Sequence, residues 1–245
     1  MKKDKYQRRF YRDWIKAQGL CLSRVIQKET DLQILTDQPI EKDFLQKRIN
    51  HYRNQIEDYI SKDRKFLTAL KPMAVELNAP SIIKEMAKAA KKANVGPMAA
   101  VAGAIAQFLG GDLLKKGYKE VIIENGGDIF LKISRIRSVG IYAGESKLWK
   151  GLKIKIKPKD TPLGICTSSG TIGHSLSFGL ADAAIILSKS AALADAVATA
   201  ACNRVKTKED LEIAVSFAKS IPGISAAVIM IKNNIIAWGK FEFIR

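Results

Sequence analysis

Apolar positions recur at three- and four-residue intervals after Pro39. Phe44, Leu45, Ile49, Tyr52, Ile56, Tyr59 and Ile60 form one face, with charged residues between them, which predicts a long amphipathic helix. Before it, LCLSRVIQKETDLQILTD carries two apolar-rich runs around the polar Lys28 to Asp31, a hairpin pattern that follows the aromatic Tyr11 and Trp14. Asn78 to Ser81 then breaks the chain. Ser81 is a candidate cap for a second amphipathic helix, SIIKEMAKAAKKAN, which Asn94 to Pro97 should end. The following PMAAVAGAIAQFLGG, Pro97 to Gly111, is short for a membrane span and reads as a buried core helix whose Ala and Gly positions permit close packing.

The second half alternates differently. YKEVIIENGGDIFLKI is the strongest hairpin signal, and further strands are predicted at Val139 to Ala143, Gly151 to Lys157, Leu163 to Thr167 and Ala183 to Leu187. A helix opens at Ser190 and another runs from about Lys208 to Lys219. Ile224 to Ile231 and Ile235 to Trp238 then close a hairpin over Asn233 and Asn234. With no internal repeat, low-complexity stretch or clear linker, the expectation is a single α+β domain over residues 1–245.

Composition narrows the classes. The 47% hydrophobic and 27% charged content suits a globular domain, with no apolar run long enough to cross a bilayer. The basic N-terminus lacks the apolar core of a secretory signal, so cytoplasmic residence is expected. Cys21, Cys166 and Cys202 have no CxxC spacing and read as reduced, mostly buried thiols. A net charge of +17 calls for anionic partners, either nucleic acid or phosphorylated small molecules. The excess is densest from Lys132 to Lys159, where GLKIKIKPK alternates Lys153, Lys155 and Lys157 with Leu152, Ile154 and Ile156. That is a strand with one buried and one solvated face, and without interleaved aromatics it weighs against a nucleic-acid stripe.

Candidate chemistry sits in a few small-residue stretches. Asn125-Gly126-Gly127-Asp128 serves either as a tight turn or as a ligand loop. CTSSGTIGHS follows a strand, and its amides together with Thr167, Ser168, Ser169 and Gly170 could wrap phosphate oxygens, although the GK[ST] ending of a P-loop is missing. His174 lies in that loop as a candidate acid/base or polar contact, whereas His51 falls on the charged helix as a surface residue. Asp182 either faces the same loop or simply precedes a strand. In SAALADAVATAAC, Asp195 and Thr199 stand one helical turn apart and point to one place, a partial hard-cation site. The structural alternative has Asp195 favouring the N-terminal end of its own helix, capped by Ser190, and Thr199 bonding a carbonyl one turn back.

The order of these pieces resembles the ApbE family, the magnesium-dependent FAD:protein FMN transferases. A small-residue helix is followed by a strand into NGGD, a strand into TSSG, a histidine and then LADAVATA, over roughly Val95 to Val205. The resemblance implies an ApbE-like α+β fold of mostly antiparallel sheets packed with helices. It further implies a Mg2+ ion held by Asp195 and Thr199 beside the FAD diphosphate, with Asn125 to Asp128 and Thr167 to Gly170 near the flavin or its phosphates. GHSLSFGLAD occupies the interval where the family carries a His-Ile-Ile-Asp-Pro type of stretch, and Met1 to about Ala93 forms a divergent N-terminal part. The implied partners are a flavin or nucleotide diphosphate and an acceptor protein with a reactive hydroxyl. A non-catalytic flavin-binding or metabolic accessory protein stays open beside the transferase, as does a homo-oligomer.

Overall fold

A computed structural model describes residues 19–141, 151–171 and 178–244. The strands are β1 (Cys21–Gln27), β2 (Thr30–Thr36), β3 (Val121–Asn125), β4 (Asp128–Lys132), β5 (Arg137–Gly140), β6 (Lys153–Ile156), β7 (Leu163–Ser168), β8 (Ala183–Ser188), β9 (Ile224–Ile231), β10 (Asn234–Gly239) and β11 (Glu242–Ile244). The helices are α1 (Lys42–Lys62), α2 (Lys65–Thr68), α3 (Ser81–Ala93), α4 (Val101–Lys115), α5 (Ala191–Asn203) and α6 (Leu211–Ser220). Eight strands form one sheet in the order β1-β2-β3-β4-β7-β8-β9-β10, and β11-β6-β5 form a second. Every pairing is antiparallel. The architecture is therefore the expected α+β arrangement of antiparallel sheets packed with helices.

The large sheet is covered on both faces, which explains why AAIILS in β8 and most of ISAAVIMI in β9 are buried at successive positions rather than alternately. Val121, Ile123, Phe130, Cys166 and Ile186 point into a core shared with α1, α3, α4 and α5. Their neighbours Ile122, Ile129, Leu131, Ile165, Ile185 and Leu187 point the other way, onto Val139, Ile154 and Ile156 of the small sheet. Strand β6 does alternate. Ile154 and Ile156 are buried, while Lys155 turns outward and pairs with Glu242 at 3.0 Å, so part of the lysine face is neutralised within the fold.

The 19-residue Pro97–Lys115 segment is a 3-10 turn followed by α4, and its length and apolarity are those of a membrane-crossing helix, which corrects the expectation that no apolar run is long enough to cross a bilayer. Here Ala104, Ala106, Leu109 and Leu113 are instead fully buried against the sheet and the neighbouring helices, as the core-helix reading expects. Two local details differ from expectation. Ser81 is the first residue of α3 and not its cap; Pro80 occupies that place without a side-chain hydrogen bond. The short α2 and β11 have no counterpart in the predicted elements, because three or four residues carry too little periodicity to register.

Candidate functional site

Strand alternation decides which side chains can meet. Counting along β3 and β4 from the helix-facing Val121, Ile123 and Phe130, Asn125 and Asp128 fall on the helix side of the sheet, where they are direct register partners. On β7 the helix-facing Cys166 places Ser168 on that side too. Between Asn125 and Asp128, Gly126 and Gly127 turn the chain with φ of 68° and 103°, a left-handed conformation that disfavours side chains. The Gly127 amide donates to Glu124 Oε1 at 2.9 Å, and a Cβ on Gly127 would lie 3.7 Å from the Thr167 carbonyl oxygen. The NGGD turn and the start of TSSG are therefore adjacent.

The first turn of α4 lies over this turn. Asn125 Nδ2 donates to the Ala102 carbonyl at 3.2 Å, and the Gly103 amide donates to Asp195 Oδ2 at 2.8 Å. Helix α5 can come this close because glycines face it. A Cβ on Gly103 would stand 2.3 Å from the Ala191 carbonyl oxygen, and one on Gly164 of β7 would stand 2.4 Å from Ala191 Cα. Ser190 does cap α5, accepting from the Leu193 amide at 3.1 Å. Asp195, however, does not serve the start of its own helix: its carboxylate meets an orphan amide at the N-terminus of α4.

The electrostatics of this junction are unusual. Asp195 and Asp128 are both buried, at 8% exposure each. Burial pushes the Asp195 carboxyl up to about 7, against the opposing effect of the Gly103 and Ala102 amides. Asp128 is also raised well above the ordinary carboxylate range, first by burial and then by the charge of Asp195. Cys166, beside them, is held as a thiol by burial and by the same two acids, and it donates to the Ala191 carbonyl at 3.3 Å. A thiolate nucleophile has no support there. Cys21, Cys166 and Cys202 are all free, as expected.

Gly126 is exposed, and Gly127, Thr167, Ser169, Gly170 and Thr199 are half-buried. The TSSG loop is fixed by the Gly170 amide donating to Ala181 O at 2.8 Å and by Thr171 Oγ1 donating to Asp182 Oδ1 at 3.2 Å. Asp182 thus faces the loop, and its other oxygen accepts from the Lys232 amide. His174 lies outside the described residues. Of the candidate residues, the fold brings NGGD, Ser168 and Asp195 to one place. It also recruits Ala102 and Gly103, which the motif reading had not assigned to it and whose only sequence signal was the small-residue spacing of the α4 segment, and Cys166, the first residue of the CTSSGTIGHS stretch. Among the described residues no three His, Cys, Asp or Glu side chains gather to hold a metal ion. The carboxylates and hydroxyls at the junction are the oxygen donors a hard cation accepts, with the Cys166 thiol beside them, and a cation would relieve the repulsion of the two acids.

A family model described as "AbpE bacteria" matches residues 12–225. The chain belongs to that family. It is 41% identical over 213 residues to a UPF0280 protein of Methanocella arvoryzae, covering 87% of this chain and 86% of that one. A UPF0280 protein of Methanocaldococcus jannaschii is 41% identical over 225 residues, covering 89% and 90%. Among solved structures, the flavin transferase ApbE from Vibrio cholerae superposes with a TM-score of 0.58 at 14% identity, covering 89% of this chain and 96% of its own. The apo flavinyl transferase ApbE of Pseudomonas stutzeri gives 0.57 at 12% identity, covering 89% and 94%. The ApbE-like assignment read from the NGGD, TSSG and LADAVATA order is thereby established at the level of family and fold.

Proposed function

We propose that this protein binds a flavin or other nucleotide diphosphate together with Mg2+, and that its activity is transfer of FMN from FAD to a protein hydroxyl. The observation that carries this reading is the seating of Asp195. A buried carboxylate at the mouth of a helix N-terminus faces a second acid, with the Thr199 hydroxyl one turn further along. The shared fold with proteins named as flavin transferases supplies the substrate class. Bound Mg2+ would neutralise the diphosphate and stabilise the displaced phosphate.

The chain's own residues do the positioning. Asn125 ties the turn to the first turn of α4, which holds the NGGD turn beside the start of TSSG, with the Gly127 amide already given to Glu124. Ser169 Oγ accepts from the Thr171 amide at 3.2 Å, which shapes the TSSG loop as a second wall. In the transfer an acceptor hydroxyl oxygen bonds to the flavin-side phosphorus, the diphosphate bridge breaks, AMP departs and the hydroxyl proton is released. His174 is a candidate to accept that proton.

A second reading, a flavin-binding accessory protein without transfer, rests on GHSLSFGLAD standing where the family's acid-containing stretch is expected. Calorimetric titration with FAD, with and without Mg2+, tests the binding proposal. Magnesium-dependent binding lost in Asp195→Ala supports it, and no FAD binding under either condition overturns it. Mass analysis of acceptor proteins for an added FMN then separates transfer from binding alone. The runner-up, nucleic-acid binding through the lysine face, would instead appear as steeply salt-dependent affinity for generic strands.

A further inference from the structure

Strand β7 and helix α5 run side by side in the same direction. Gly164 touches Ala191 at one end, while Gly170 touches Gly179, which in turn touches Cys202, at the other. Four helical residues advance about 6 Å, and two strand residues advance about 6.6 Å. Starting from the Gly164–Ala191 contact, Cys166 therefore lies level with Asp195, and Ser168 lies level with Thr199. Cys166 is flanked by Asp128, whose carboxyl it contacts. Two side-chain oxygens on these levels are buried without a hydrogen-bond partner, Asp128 Oδ1 and Ser168 Oγ. Their residues are only 8% and 5% exposed. A buried oxygen left unpaired is costly, and two of them beside the same helix face mark a place built for something else.

We propose that Asp128 and Ser168 are the strand-side half of a divalent-cation site whose helix-side half is Asp195 and Thr199, taking a hard ion such as Mg2+ or Mn2+. The inference rests on the reading of Asp195 and Thr199 as cation ligands and extends it to two residues that the motif reading had placed near the flavin. The four side chains bring two carboxylates and two hydroxyls. They leave room for waters and for a phosphate oxygen, which suits an ion that keeps part of its hydration shell. The acidic pair is what draws a cation: two negative charges in one buried place are tolerated only with a counter-charge between them.

The test uses the full-length protein and Mn2+ alone, with free Mn2+ followed by electron paramagnetic resonance and the fold followed by circular dichroism. Asp128→Asn and Asp195→Asn should each weaken Mn2+ binding by about tenfold or more, and Ser168→Ala by about threefold, reflecting lost ligand charge and number. Mn2+ should raise the melting temperature of the wild-type protein and not that of Asp128→Asn. Unchanged affinity in Asp128→Asn with loss in Asp195→Asn overturns this inference and leaves the Asp195 reading standing. Unchanged affinity in both variants overturns the two together. If the wild-type chain binds no Mn2+ at millimolar concentration, the inference falls and the FAD titration decides the earlier reading separately. Should Asp128→Asn fail to fold, Ser168→Ala carries the test, with unchanged Mn2+ affinity as the overturning result.

Discussion

Two buried acidic centres lie in the same sheet and behave in opposite ways. Glu120, at the start of β3, is 1% exposed. Burial opposes its ionisation, yet Ser134 and the guanidinium of Arg137, at 2.7 Å, outweigh that cost with help from Arg135. Its carboxyl is held below the ordinary range. Asp128, at the far end of the β3–β4 hairpin, is buried to a similar degree, but its closest charged neighbour is another acid, so burial and repulsion push the same way. The hairpin thus carries a carboxylate with a cation supplied by the protein at one end. At the other end is a carboxyl pair for which burial and mutual repulsion favour the protonated form. Structural ion pairs are complete in the folded chain, and binding sites need not be.

Four measurements would break or sharpen that contrast. The largest effect is expected from Arg137→Ala, which strands Glu120 in the interior and should cost about 3–5 kcal/mol in urea unfolding. Gly103→Ala comes next. A Cβ there meets the Ala191 carbonyl oxygen at 2.3 Å, so α5 must retreat and the Asp195 cap must loosen, for about 1–3 kcal/mol and weaker Mn2+ binding.

The third is pH dependence in metal-free protein, where the two centres have opposite signs. Asp195 has a raised folded-state value of about 7, so the native state holds its proton while the unfolded chain releases it near about 4. Its contribution is fully present below about pH 4 and is lost as pH rises through about 7. Asp195→Asn should flatten that decline in thermal melts between those limits, and Mg2+ should oppose it in the wild-type chain. Glu120 has a lowered value, so its contribution is present above the ordinary glutamate range and is lost on acidification. The smallest effect belongs to Asp128→Asn without metal. Burial and the charge of Asp195 favour the protonated carboxyl, which the amide resembles in shape and polarity, so stability in urea unfolding should change by no more than about 1 kcal/mol. A loss comparable to that of Arg137→Ala would erase the distinction between the centres.

Much of this architecture was legible beforehand. The period-two and period-3.6 patterns placed β1 to β10 and the long helices, and positive-φ glycines at Gly126 and Gly127 confirmed the NGGD turn. The order of NGGD, TSSG and LADAVATA pointed to the right family. What went astray was local and directional. Ser81 looked like a cap because capping residues are read from type, whereas the cap position is set by where the chain from Pro80 enters the helix. Asp195 was weighed against its own helix because i, i+4 spacing is visible in a sequence, while a neighbouring helix end is not.

Residue type and spacing by themselves determined that Asp195 and Thr199 share a helical face and that Asn125 and Asp128 flank a tight turn. Those are consequences of backbone period and side-chain polarity, which act within a few residues. Only the tertiary structure decided that Asp195 would meet the amide of Gly103, that Asp128 would lie within reach of its charge, and that Ser168 Oγ would be buried unpaired. Such meetings depend on how closely α4 and α5 approach β7. That approach is set by glycines far apart in the chain, and its energy comes from burial and charge acting through space rather than along the sequence.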